Sequence, residues 1–228
     1  MCFSASASFT VSAGLIPVGI YCLYKANKRR DHKLFWPFAL YPLVFGIQQA
    51  IEGWLWLSLE TGGVESLRIP ALSFVFFSHF FWLFWIPYSC YTIETTDRKK
   101  RLFFFTTIMG SVFGLAMFLP VIIYADWMSV SLVQHSISYE LKLLFDDFVP
   151  RIAVRGFYVL VILVPLLLSS WRFLRYFGVI IALSVLMVVS WYPQTFISVW
   201  CFFAAIMSAY MLTLFICLEK QKTVQFLK

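Results

Sequence analysis

Charged side chains are scarce in this sequence. Aspartate, glutamate, lysine and arginine make up only 13% of the 228 residues, whereas 61% are hydrophobic and the mean hydropathy is +0.84. Soluble domains carry about 25% charged residues, and a soluble fold of this size could not hide so much apolar surface from water. The composition therefore excludes a soluble protein and predicts an integral membrane protein.

Cysteine and histidine are also few. Five cysteines form no even framework of disulfides, and the three histidines show no His-x-x-x-His spacing that would predict a metal site. The opening MCFSASASF lacks the basic region of a signal peptide, so we expect the first apolar segment to stay in the mature protein. The sequence predicts no metal and names no cofactor.

Residues that several seven-helix membrane families require are missing as well. A retinal Schiff base needs a lysine in the last span, and residues 195–218 contain none. The ceramidase-like membrane hydrolases build their zinc sites on several intramembrane histidines, and a bis-histidine haem needs two. This chain has only His79 within an apolar run, which fits neither.

Seven apolar runs are present, each long enough to cross a hydrocarbon core of about 30 Å, which takes roughly 20 helical residues. They are Ala5–Tyr24, Phe35–Leu59, Ile69–Ile93, Leu102–Tyr124, Ile152–Trp171, Leu174–Tyr192 and Thr195–Leu218. The links between most of them are short, so neighbouring helices are expected to be antiparallel. The predicted fold is an all-α integral membrane protein, a single seven-transmembrane-helix domain over residues 1–228.

Basic residues cluster in alternate loops. The first loop contains KANKRRDHK, the third contains ETTDRKKR, and the fifth and the C-terminal tail are also basic. By the positive-inside rule, the N-terminus lies outside and the C-terminus lies in the cytoplasm. The net charge of +7 then fits loops beside anionic lipid rather than a nucleic-acid partner, so membrane lipids are the expected partners.

The fourth loop, from Ala125 to about Arg151, is the longest. Its segment HSISYELKL alternates apolar residues with polar ones. Period two predicts a short strand or an extended lid on the extracytoplasmic face, and a surface loop resting on the bundle is the alternative.

Polar residues from distant parts of the chain share one depth in the outer half of the bundle. In FGIQQAIEGWLWL of the second span, Gln48, Gln49 and Glu52 fall on one side of the helix. A lipid-facing carboxyl or amide costs several kcal/mol, so this side is predicted to face inward. The helical rise of 1.5 Å per residue places other polar residues in the same layer, namely Cys2, Ser4, His79, His135, Tyr139, Arg151, Arg155 and Cys201.

An intramembrane carboxylate requires a partner. Arg155 is the first choice as the partner of Glu52, with Arg151 and His79 as alternatives. A purely structural clamp between helices is the competing interpretation of the group, and His79 itself fits a hydrogen-bonded core residue better than a ligand.

The sequence leaves the role of Cys2 open. Removal of Met1 would leave a free amine and a thiol on one residue, a pair that can act as nucleophile and base or bind a soft metal. A disulfide between Cys2 and Cys201 and an inert thiol are the alternatives.

Small residues recur every three or four positions in the first and last spans, so these spans are expected to pack together.

The chain resembles an uncharacterised family of mainly bacterial multi-spanning membrane proteins. The motifs that carry the resemblance are MCFSA-x-ASF at the start, QQ-x-x-EG in the second span, a His-x-x-x-Tyr pair in the outer loop and SVWCF in the last span. They correspond here to Cys2, Phe3, Ser4, Gln48, Gln49, Glu52, Gly53, His135, Tyr139, Ser198, Trp200 and Cys201. The resemblance supplies no activity, but it implies a bacterial inner membrane location and adds Trp200 to the polar layer.

Three functional interpretations follow. The first is a receptor, carrier or lipid-handling protein that binds a small or lipid-like ligand in an outer-leaflet pocket lined by the polar layer. The second is a membrane-embedded hydrolase, transferase or metal-dependent enzyme that uses Cys2, Glu52 and His135. In the third, the polar cluster only holds helices together.

Overall fold

Seven helical spans form the body of the computed structural model, which describes residues 4–28, 32–61, 64–133, 135–191 and 195–220. Each span is long and apolar enough to cross a membrane, which confirms the predicted fold class. The spans are Ala5–Asn27, Leu34–Thr61, Leu67–Ile93, Asp97–Ile123, Arg151–Leu168, Arg172–Trp191 and Phe196–Ile216.

Two of the spans are interrupted. The elements in chain order are α1 (Ala5–Asn27), α2 (His32–Thr61), α3 (Val64–Val75), a π-helical segment (Phe76–Phe81), α4 (Trp82–Ile93), α5 (Asp97–Ile123), β1 (Met128–Val133), β2 (Ser136–Leu141), α6 (Arg151–Leu168), α7 (Arg172–Trp191), α8 (Phe196–Ser208) and α9 (Tyr210–Lys220). The third span is thus α3, the π segment and α4 in succession, and the seventh span is α8 followed by α9.

The predicted strand in the fourth loop is confirmed as β2. It pairs antiparallel with β1, with Val130 opposite Tyr139, and the hairpin turns at His135, whose φ is 57°. Ser136 to Tyr139 are all buried and only Glu140 of the strand is exposed, so the burial does not follow the predicted alternation. The reason is that β2 lies against the bundle, in contact with α8, instead of crossing open surface.

Helices α1 and α2 pack closely along their length. A Cβ at Gly19 would overlap the backbone of Leu43, so only glycine permits this approach. Helix α1 also contacts α8 and α9, with Ser8 and Ser12 buried, as predicted for the first and last spans.

At the end of the bundle opposite the hairpin, Glu94 joins two loops. Its Oε1 accepts hydrogen bonds from the backbone N–H groups of Thr95 and Thr96 at 2.9 and 3.0 Å, and its Oε2 accepts one from the N–H of Ser170 at 2.9 Å. Burial by itself would raise the pKa of Glu94, but the hydrogen bonds from Ser170, Thr96 and Thr95 outweigh it and hold the pKa below its ordinary value of 4.5. The carboxylate thus fixes the α4–α5 link to the α6–α7 link.

Substitution Glu94→Gln is expected to lower the free energy of unfolding at neutral pH by about 1–3 kcal/mol, since one of the accepting oxygens becomes a donor. A lowered folded pKa means that the stabilisation is present above pH 4.5 and is lost as the pH falls through the folded pKa. The difference between wild type and variant should therefore shrink below pH 4.5. Thermal unfolding in detergent across this pH range measures it, with the exposed Glu60→Gln as control. A difference that stays constant with pH would contradict the assignment.

Candidate functional site

A cavity of about 90 Å³ lies between the hairpin and the bundle. Its walls come from five elements: the π segment, α5, β2, the first turns of α6 and the first turns of α8. The polar or titratable side chains among the lining residues are Ser78, His79, Tyr139, Arg151, Arg155, Tyr158, Thr195, Trp200 and Cys201. The rest of the wall is apolar, which is the usual composition of a small-molecule site.

The two arginines at the start of α6 occupy different positions. Arg151 donates hydrogen bonds at 2.6 Å to Asp146 Oδ2 and to the Leu141 carbonyl oxygen, and so ties α6 to the end of the hairpin. Arg155, one turn further along α6, has its guanidinium 5.7 Å from the centre of the Phe196 ring on α8. Arg155 therefore brings a positive charge to the seam between α6 and α8, beside the cavity.

His79 lies in the π segment and forms part of the cavity wall. Its Nδ1 is 2.9 Å from Ser78 Oγ, and the Tyr158 hydroxyl of α6 donates to the Ser78 carbonyl oxygen. Helix α5 presses against the same turn, since a Cβ at Gly114 would lie 2.8 Å from the His79 carbonyl oxygen. His79 is thus a hydrogen-bonded core residue, as the sequence favoured, and it also lines the cavity. π-Helical turns of this kind occur often at functional sites.

Two polar atoms in the cavity wall have no hydrogen-bond partner among the described residues. They are Nε1 of Trp200 and Oγ1 of Thr195, on side chains that are only 5% and 3% exposed. Buried polar groups are almost always hydrogen-bonded, and each one left without a partner costs about 1–3 kcal/mol. Both atoms belong to residues that line the cavity, so an occupant with hydrogen-bonding groups would remove this cost.

Tyr139 closes the cavity from the hairpin side. Its ring stacks on Phe74 of α3, with centroids 4.7 Å apart and planes within 5° of parallel. This contact anchors β2 to the bundle, because an offset aromatic stack adds about 0.5–1.5 kcal/mol to the burial of the two rings.

The predicted polar cluster of the second span does face inward. Gln48, Gln49 and Glu52 are all 0% exposed. Gln48 Oε1 accepts a hydrogen bond of 2.7 Å from Trp82 Nε1, while Glu52 accepts one of 3.1 Å from Gln49 Nε2 and one of 2.5 Å from Ser198 Oγ. The cluster therefore links α2 to α4 and to α8.

This cluster lies behind the cavity wall and not in it. Cys201 is the residue that the two share: it lines the cavity, and its thiol is close to Glu52 and Gln48. The single layer expected from depth is thus divided in two, because depth along a helix does not tell which neighbour a side chain faces. Ser198 is thus one hydrogen-bond partner of Glu52 that was not predicted, and the pairing of Glu52 with Arg155 stays a prediction.

Two further predicted site residues, Ser4 and His135, do not line the cavity. Ser4 is the N-cap of α1, where its Oγ accepts a hydrogen bond of 3.2 Å from the N–H of Ala7. His135 lies at the exposed turn of the hairpin, away from the buried Glu52. Cys2 lies outside the described residues, and the Cys201 thiol is free.

A second, smaller cavity of about 20 Å³ lies deeper in the bundle. Tyr158, Trp200 and Cys201 line both cavities, and the rest of the second one is formed by Phe45, Trp82, Ile86, Ile162, Phe177, Ile181 and Ala204. The Tyr158 and Trp200 rings meet edge to face with centroids 5.5 Å apart. These two rings separate the cavities.

Several of these residues could not have been selected from the sequence. Tyr158, Trp82 and Thr195 lie in or beside apolar runs that contain many other aromatic and small polar residues. No motif separates a tryptophan that donates to Gln48 from one that anchors a helix at the membrane surface.

Within the described residues, no group of three or more His, Cys, Asp or Glu side chains is placed to hold a metal ion.

Comparison with known proteins gives one match. The sequence model of a family of unknown function (DUF6629) matches residues 1–225. No curated protein and no solved structure matches the chain.

Proposed function

The chain belongs to the DUF6629 family, to which no function is assigned, and from its structure we propose that it is a membrane-embedded binding protein. It holds a small or lipid-like ligand in the cavity beneath the β1–β2 hairpin, as a receptor, carrier or lipid-handling protein would.

The observation that carries this proposal is the cavity itself. It combines apolar walls with the polar atoms of Trp200 and Thr195 that have no partner among the described residues. A purely structural cavity gains nothing from such atoms, because each is a desolvated group without compensation. A ligand that supplies the missing hydrogen bonds accounts for both the space and the unpaired groups.

The proposal includes an orientation. Lys25, Lys28, Arg172 and Arg175 lie at the end of the bundle opposite the hairpin, as do the basic residues 98–101 at the start of α5. Basic residues favour the cytoplasmic side, so the hairpin and its cavity belong to the extracytoplasmic half of a bacterial inner membrane. A ligand could then enter from the outer leaflet or from outside the cell.

Filling the cavity tests the function. The variant Val154→Phe places a larger side chain in the wall of this cavity, and we expect at least tenfold weaker ligand retention, which corresponds to about 1.4 kcal/mol. Native mass spectrometry of protein released with its membrane lipid measures the fraction that carries additional bound mass.

The matched control is Ile152→Phe on the same helix, where the side chain is 70% exposed and does not line the cavity. The control should retain the bound mass at the wild-type level. Equal retention by both variants, or a wild-type protein that carries no specific mass, would reject the proposal.

The enzyme interpretation stays a prediction. Its three residues are Cys2, Glu52 and His135, of which the first lies outside the described residues and the last lies at an exposed turn. The buried Glu52 accepts hydrogen bonds at both oxygens from Gln49 and Ser198, an arrangement that supports a role in holding α2 against α8.

A further inference from the structure

The two cavities differ in chemical character. Among the described residues, Arg151 and Arg155 line the first cavity and no aspartate or glutamate does. The second cavity is lined by apolar and aromatic residues and Cys201. Together they form a path that begins beside positive charge and ends in an apolar recess.

The two rings that separate the cavities, Tyr158 and Trp200, differ in their hydrogen bonding. The Tyr158 hydroxyl donates to the Ser78 carbonyl oxygen, which fixes the ring to the π segment. Trp200 stacks on Phe196, with centroids 5.4 Å apart, and its Nε1 has no hydrogen-bond partner among the described residues. A turn of the Trp200 indole would therefore break no hydrogen bond of its own and would join the two spaces.

The size of the second cavity limits what can enter it. A volume of about 20 Å³ is close to the 10–15 Å³ that a single water-sized group needs, so the resting recess accepts the small end of an alkyl chain and not an aromatic ring or a head group. An apolar recess of this kind stays dry, and a methyl end is the group it suits.

We propose that the ligand is an anionic amphiphile with one unbranched apolar chain. Its carboxylate or phosphate head group lies beside Arg155, and its chain passes Trp200 so that the chain end occupies the second cavity. This inference rests on the proposed function, since it identifies the ligand class of the same site.

The experiment uses an unbranched alkyl carboxylate that carries a diazirine at its terminal carbon, added to the full chain in lipid nanodiscs. After illumination, peptide mass spectrometry locates the label. We expect labelling of the second-cavity residues Trp82, Ile162 or Ile181, and at least tenfold reduction of that labelling by excess unlabelled carboxylate.

Two competitors test the head group. An alkyl alcohol of the same length should compete at least tenfold less well than the carboxylate, because it lacks the charge that Arg155 recognises. An alkyl phosphate of equal length shows whether the acid is carboxylate-like or phosphate-like. The variant Arg155→Met should lose the labelling, and Arg155→Lys, which keeps the charge, should retain most of it.

A third variant tests the position of the chain end. Ala204→Phe fills the second cavity and should abolish labelling there while labelling of first-cavity residues such as Ile137 and Val154 appears. The exposed Ala13→Phe on α1 is the matched control and should label as wild type.

The outcomes separate the two proposals. Competed labelling confined to the first cavity would overturn the path through Trp200 and leave the binding function standing. Equal competition by the alcohol would overturn the anionic head group. If no labelling in either cavity is reduced by competitor, the anionic amphiphile is overturned, and the proposed function fails as well only if Val154→Phe and Ile152→Phe retain bound mass equally.

Discussion

Replacement of Gly110 by alanine is expected to destabilise the bundle by about 3 kcal/mol or more. A Cβ at this position would overlap the carbonyl oxygen of Leu83 and lie 2.9 Å from Cγ1 of Val161. The first of these atoms belongs to the backbone of α4, so no side-chain rotation can relieve the clash. Helix α5 would have to move away from α4, and most of the packing between the third and fourth spans would be lost.

The control is Gly14→Ala on α1, where an added Cβ meets no heavy atom within 4 Å. Alanine is favoured over glycine inside a helix by about 0.5–1 kcal/mol, so this variant should be as stable as wild type or slightly more stable. Thermal unfolding in detergent micelles compares the two. Similar melting temperatures for both variants would show that α5 does not approach α4 as closely as the structure places it.

The close approach of α5 to the third span also positions part of the cavity wall. Gly110 and Gly114 are one turn apart on α5, and Gly114 lies against the backbone of His79 and Phe80 in the π segment. Separation of α5 from this segment would move His79 out of the cavity wall. Ligand retention by Gly110→Ala should therefore fall together with stability, whereas Val154→Phe should affect retention with little loss of stability.

Much of this fold could be predicted because lipid imposes a simple rule on sequence. A spanning segment must satisfy its own backbone and present about 20 apolar residues, and the seven runs read from composition match the observed spans closely. The third predicted run, Ile69–Ile93, ends at the same residue as α4. The sixth predicted run, Leu174–Tyr192, begins two residues after the first residue of α7, Arg172.

The interruptions within spans could not be predicted. The π segment begins inside FFSHFF, a run that is apolar and helical by every local measure. Gly114 of α5 lies against the backbone of His79 and Phe80 in this segment, a contact between helices that no local pattern in the segment reveals. The strand β1 was not predicted, although Met128, Val130 and Leu132 alternate with Ser129 and Ser131 with the same period of two that predicted β2.

The inward direction of the second-span polar residues was predicted, but their neighbours were not. Spacing on one side of the helix correctly placed Gln48, Gln49 and Glu52 in the interior, since lipid would penalise the alternative by several kcal/mol. Which neighbour each side chain faces depends on helix rotation and crossing angle, and a single sequence does not encode these in any local pattern. The hydrogen bond from the Ser198 hydroxyl to Glu52, for example, joins residues 146 positions apart and has no signal in the sequence.

Removal of the Glu52 carboxyl is expected to cause the second large loss of stability. The variant Glu52→Leu removes the acceptor of the hydrogen bonds from Ser198 and Gln49 while leaving both donors in a site with 0% exposure. Each donor without a partner costs about 1–3 kcal/mol, so the free energy of unfolding should fall by about 3 kcal/mol. Glu52→Gln keeps one accepting oxygen and the shape of the side chain, and its loss should be less than half as large.

A double-mutant cycle with Ser198→Ala isolates the contact between α2 and α8. Ser198→Ala alone should cost about 1–2 kcal/mol, and it should cost far less in the Glu52→Leu background, because the acceptor is already gone. Hydrogen bonds between membrane helices average about 0.6 kcal/mol in such cycles, so a coupling above 1 kcal/mol would mark this pair as unusually strong. Strict additivity of the two substitutions would instead show that Ser198 does not stabilise the carboxyl. Because Cys201 joins this cluster to the cavity, a strong coupling would also mean that the cavity wall on α8 is held in place from behind by Glu52.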